Sequence, residues 1–120
     1  MEVIILQKGS GKYRKTFIEP YILLIIAETP LHGYEIANRL SEYGIKLTGL
    51  GQMGNLYRIL TRLEKEKFIE SKWDTDVQGP SKKVYYITSK GLKHLKDTKN
   101  ELMKIKDNIQ RFIDKVSKLP

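Results

Sequence analysis

Cysteine is absent from the chain, which excludes disulfides, thiolate metal sites and cysteine nucleophiles at once. Histidine occurs only twice, at His32 and His94. With so few ligating side chains no metal centre is expected, and no cofactor is expected either. Long hydrophobic runs are missing too. The longest, Tyr21 to Ala27, falls far short of the roughly 18 residues that span a bilayer. Met1 to Leu6 lacks both the basic flank and the apolar length of a signal peptide. A soluble, cytoplasmic protein with no membrane partner is expected. Acidic residues are the scarcer sign, 14 against 22 basic ones, for a net charge of +8. An excess of that size in so small a chain favours a polyanionic partner.

What is present suits one folded unit. Hydrophobic residues make up 40% of the 120 positions, enough for a single core without covalent staples. The charge is uneven: residues 1–20 carry +2, residues 21–50 carry −1, residues 51–91 carry +3 and residues 92–120 carry +4. The segment that reads as core is slightly acidic, and the surplus lies on later elements. Lys8 to Lys15, with Gly9 and Gly11 among its cations, reads as a basic N-terminal arm spanning residues 1–19. It only partly echoes a phosphate-binding loop. Leu6 occupies the place of the first glycine, and Tyr13 that of the Ser or Thr after the lysine.

A winged unit is expected over residues 20–90 and a final helix over residues 91–120. Pro20 suits the first turn of a helix whose next seven residues are apolar nearly all round. His32-Gly33 reads as a turn into a second helix, about Tyr34 to Tyr43, with Gly44 as its terminating residue. Ile45 to Met53 reads as a loop with room for one short strand. A third helix is predicted to start at Gly54-Asn55, with Asn55 as N-cap and Leu56, Ile59, Leu60 and Leu63 inward. Ile69 to Asp74 and Val84 to Ile87 alternate as strands around the turn chemistry of residues 76–81, and Thr88 or Ser89 opens the last helix. The order helix, helix, helix, hairpin, long helix makes the fold class mainly α, a winged helix-turn-helix.

Leu31-His32-Gly33-Tyr34-Glu35-Ile36 resembles the signature of PadR-type transcriptional regulators. The register continues through Gly54-Asn55-Leu56-Tyr57, Arg62-Leu63-Glu64, Phe68-Ile69, Trp73, Gly79-Pro80, Lys82-Lys83, Tyr85-Tyr86, Ile87-Thr88 and Gly91. The resemblance covers the chain from about Pro20 onward and is similar to the small subgroup with a single C-terminal helix. It implies a winged-helix repressor that dimerises through that helix. Three positions depart from the pattern. Arg58 follows the tyrosine where proline is common, and Lys67 replaces a glycine before Phe68. The only tryptophan is Trp73 on a strand rather than on the last helix, where small drug-binding members carry one.

By residue type, the DNA-reading candidates are Gln52, Asn55, Tyr57, Arg58 and Arg62 at the third helix. Arg pairs bidentately with guanine or phosphate, and Asn or Gln with adenine. Arg62 also stands four residues from Glu66, so an ordinary surface pair remains open, as does capping by Asn55. Lys82 and Lys83, just after Gly79-Pro80, read as a phosphate clamp at the wing tip; protection of a strand edge accounts for them as well. His32 and Glu35 read as a structural hydrogen bond. No catalytic residue is identified, because no histidine has a nucleophile in a recognisable context. On the last helix Leu95, Leu102, Ile105, Ile109, Phe112 and Val116 keep a and d heptad spacing, a seam that favours a second copy of the chain over packing back onto its own domain. Tyr85, Tyr86, Met103 and Phe112 are of the type that lines a small-molecule effector cavity, and core packing explains them equally. The partners expected are therefore double-stranded DNA and a second copy of the chain. A winged helix that binds an acidic protein is the alternative.

Overall fold

The computed structural model describes residues 11–45, 52–75 and 82–120. The expected arm before Gly11, the loop of residues 46–51 and the turn of residues 76–81 lie outside the described residues. The first helix, α1 (Gly11–Glu28), begins well before Pro20, which sits inside it. Residues 11–19 therefore belong to a helix rather than to an arm. An apolar stripe runs across the proline: Ile18 is buried one turn before Ile22, and the stripe continues through Ile25 and Ile26. That burial carries the helix across a residue that contributes no N–H.

Leu31–His32 is a short strand, β1, where a turn was expected. Leu31 pairs with Tyr85 and His32 with Val84. The wing is thus a three-stranded antiparallel sheet ordered β1-β3-β2, with β2 at Ile69–Asp74 and β3 at Lys82–Ile87. Between these lie α2 (Gly33–Glu42) and α3 (Gln52–Lys65). The third helix starts before Gly54, so Asn55 is its fourth residue and not its N-cap. Ile36 and Leu40 of α2 and Leu56, Leu60 and Leu63 of α3 are buried with the α1 stripe, Leu31, Ile69 and Tyr85.

Both middle helices end in the same Schellman geometry. After α2, Gly44 adopts φ 79°; its N–H donates to Ser41 O at 3.0 Å, and the Ile45 N–H donates to Leu40 O at 3.1 Å. After α3, Lys67 adopts φ 67°; its N–H donates to Glu64 O and the Phe68 N–H to Leu63 O, each at 3.0 Å. Glycine takes this left-handed conformation without penalty, whereas Lys67 carries a Cβ there. Lys67→Gly is expected to stabilise the fold by about 0.5–1 kcal/mol, with a melting temperature higher by roughly 5 °C. A lower melting temperature would show that the lysine side chain matters more than its backbone strain.

The last helix, α4 (Ser89–Ser117), is capped by Thr88, whose Oγ1 accepts the Gly91 N–H at 3.0 Å. Its first turns belong to the winged body. Gly91 is buried, His94 stacks on Phe68 with ring centroids 4.3 Å apart, and Leu95 packs against the core. Leu95 is therefore held by its own chain rather than left for the expected seam. From Met103 onward every residue of α4 is exposed.

Candidate nucleic-acid interface

Helical periodicity leaves one face of α3 outward while Leu56, Leu60 and Leu63 anchor the other. Gly54, Tyr57, Arg58, Thr61, Arg62 and Lys65 line one continuous shallow depression on that face. These lining residues include three cations and no carboxylate. Arg58 is exposed, and among the described residues it makes no ion pair. Asn55 is exposed beside it, and Gln52 is the first residue of α3.

Two of the expected contacts are partly engaged within the chain. Tyr57 lies on Gly33: a Cβ built there would fall 2.7 Å from both Tyr57 Cε1 and Tyr57 Oη. The glycine thus lets α3 approach the start of α2, and the tyrosine edge stays 43% exposed. Arg62 is ion-paired with Glu19 of α1, not with Glu66. Its guanidinium is tied across two helices while its side chain remains partly open to solvent.

Lys82 and Lys83 are the first residues of β3 and do not form one paired clamp. Successive strand residues point to opposite faces. Lys83 stands opposite Trp73 with Nζ 5.4 Å from the indole centroid. Lys82 stands opposite Asp74 with Nζ 4.7 Å from the Tyr34 ring. The same alternation separates Tyr85, buried in the core, from Tyr86, half-buried beneath Lys72 Nζ at 5.3 Å. Met103 and Phe112 lie on the exposed part of α4. One chain therefore does not bring these four residues into a shared effector cavity.

His32 ties the wing to α2. Its backbone N–H and its Nδ1 both meet Glu35 Oε1, at 2.9 and 2.7 Å, and its Nε2 lies 3.2 Å from Asp74 Oδ2. Either neutral tautomer can donate to one carboxylate, and the doubly protonated ring donates to both. The bond from the His32 backbone N–H holds the Glu35 carboxyl below its ordinary value; partial burial opposes this and the imidazole assists it. The ring lies between the carboxylates, so the three groups do not converge on a common point. Among the described residues no cluster of three or more His, Cys, Asp or Glu could hold a metal ion. Among those residues, too, no helix is long and apolar enough to cross a membrane.

Comparison with known proteins agrees with this architecture. The model of the transcriptional regulator PadR-like family matches residues 22–97. An uncharacterized protein of Lysinibacillus sphaericus is 30% identical over 97 residues, spanning 81% of this chain and 88% of that protein. The crystal structure of a PadR-like transcriptional regulator from Bacillus cereus is 31% identical with a TM-score of 0.72, covering 82% of this chain and 93% of its own. A PadR family transcription regulator from Clostridium difficile is 28% identical with a TM-score of 0.69, covering 81% and 98% respectively. The chain belongs to the PadR-like family of transcriptional regulators, as a winged-helix DNA-binding protein and not an enzyme.

Proposed function

We propose that the protein is a cytoplasmic repressor that binds a two-fold operator as a homodimer. The observation that carries this reading is the outward face of α3, where Arg58, Arg62 and Lys65 share one depression whose lining residues include no carboxylate, Glu19 of α1 engaging Arg62 alone. An α-helix of about 10–12 Å diameter matches a major groove about 12 Å wide. Arg58 is the base reader, since it is exposed and unpaired among the described residues. Arg62, tethered by Glu19, serves the backbone at the edge of the groove. Asn55 and Gln52 stand at the end of α3 that enters first. Lys83, on the sheet face directed toward α3, meets a flanking phosphate. An acidic protein partner is disfavoured on the α3 face itself, whose lining offers Tyr57 as its single large aromatic beside three cations.

Footprinting on genomic fragments, including the region upstream of its own coding sequence, would find the operator. Arg58→Ala is expected to cost about 1–3 kcal/mol on that site and to relax preference at one base pair. Lys83→Ala should weaken specific and random duplex alike and reduce the salt slope by about one. Equal losses for both variants on both DNAs would remove Arg58 as the reader. Capture of an acidic protein by a chain that ignores duplex at low salt would overturn the DNA reading itself.

A further inference from the structure

Trp73 is 63% exposed on the wing, and neither the core nor the α3 face described above uses its indole. Large aromatic rings left in water on a folded surface commonly mark a contact site. Strand alternation gives its direction. Ile69, Ser71 and Trp73 share one face of β2. Ile69 is buried in the core, and Ser71 Oγ donates to Glu64 Oε2 of α3 at 2.9 Å. Trp73 therefore continues the sheet face that packs on α3, past the point where that packing ends. Its register partner Lys83 places an ammonium 5.4 Å from the ring centroid. Gly33, the first residue of α2 and next in the chain after the His32–Val84 pair, brings Tyr57 of α3 to the same end of the sheet.

We propose that Trp73 is itself a DNA-contacting residue. Its indole rests on the deoxyribose edge of the strand flanking the α3 site, while the Lys83 ammonium meets the adjoining phosphate. This inference rests on the DNA reading above. A sugar–phosphate unit alternates apolar C–H groups with an anion, and the Trp73–Lys83 pair offers an apolar plane and a cation side by side. The contact is blind to sequence, because every nucleotide presents the same sugar. It therefore fixes the register of the wing and leaves discrimination to Arg58.

Trp73 is the only tryptophan in the chain, so its emission reports on this position without any substitution. A fluorescein-labelled mixed-sequence duplex at low salt supplies an independent measure of binding through its anisotropy. Titrating the wild-type protein with the same duplex unlabelled should quench Trp73 with the same midpoint and shield it from acrylamide. Trp73→Ala should lose about fivefold to tenfold in affinity, the ratio expected when roughly a quarter of an indole's apolar surface, about 50 Å², loses its cover. Trp73→Phe should keep most of that affinity. Binding seen by anisotropy with unchanged emission, unchanged acrylamide access and an alanine variant within about twofold of wild type would overturn the contact, leaving the DNA reading intact. A flat anisotropy trace for the wild type would instead sink the DNA reading and this inference with it.

Discussion

Gly91→Ala is expected to lower the melting temperature by about 10–20 °C, the signature of a loss near 3 kcal/mol in a domain of this size. Its sign is decided by a collision. A Cβ at Gly91 would stand 2.0 Å from Phe68 O and 2.9 Å from Phe68 C and Ile87 Cδ1. The carbonyl is held in place, since it accepts the Thr88 N–H at 3.1 Å and shares the Thr88 hydroxyl, 3.0 Å away, with Lys67 O at 2.7 Å. Alanine's better helix propensity, worth at most about 1 kcal/mol, does not offset a backbone clash. Relief requires α4 to lift from the turn after α3, which also disturbs the Phe68–His94 stack and Leu95. Gly54→Ala is the matched control, because nothing lies within 4 Å of its added Cβ. A thermal melt followed by circular dichroism should show the second variant close to wild type and the first far below it. A Gly91→Ala protein melting within a few degrees of wild type would mean that α4 sits farther from Phe68 than described.

The element order was legible because α2, α3 and the strands carry clean periods of 3.6 and 2. The boundaries were misread wherever a local rule met tertiary burial. Pro20 is a good helix starter, yet α1 begins at Gly11, and Ile18, before the proline, is already buried in the core. His32-Gly33 carries turn chemistry, yet pairing with Val84 draws His32 into the sheet. Asn55 is a good N-cap, yet α3 begins three residues earlier at Gln52. Residue type marked the outward face of α3 without difficulty, since its cations stand off a regular apolar stripe. Long-range partners were the illegible part. Nothing local announces that Arg62 will find Glu19, 43 positions away, or that His32 will find Asp74, 42 positions away. Lys82 and Lys83 looked like a pair because they are adjacent, and strand geometry sends adjacent residues apart.

From Met103 onward α4 runs free of the winged body. Ile105, Ile109, Phe112 and Val116 on α4, then Leu119 two residues past its end, follow one another at steps of four and three, the heptad spacing of a helix–helix seam. In a single chain all five are exposed, Phe112 by 69% and Leu119 by 68%. Leu95 and Leu102, half-buried at the start of the same spacing, mark where the winged body stops covering it. A stripe of this length in water favours association, and a second α4 presents the complementary surface. Ile105→Lys with Ile109→Lys places two charges at the centre of that seam, where each would cost several kcal/mol on burial. Within one chain the same positions face solvent, so the monomer should keep its fold, its helical content and its winged body. Sedimentation should then show a dimer for wild type and a monomer for the double variant. Operator affinity should drop by about 10²–10⁴-fold toward the non-specific level, since the gain from joining two half-sites is lost. A double variant that still sediments as a dimer of wild-type stability would place the subunit contact elsewhere. The two-fold operator model would then have to be rebuilt around another face of the chain.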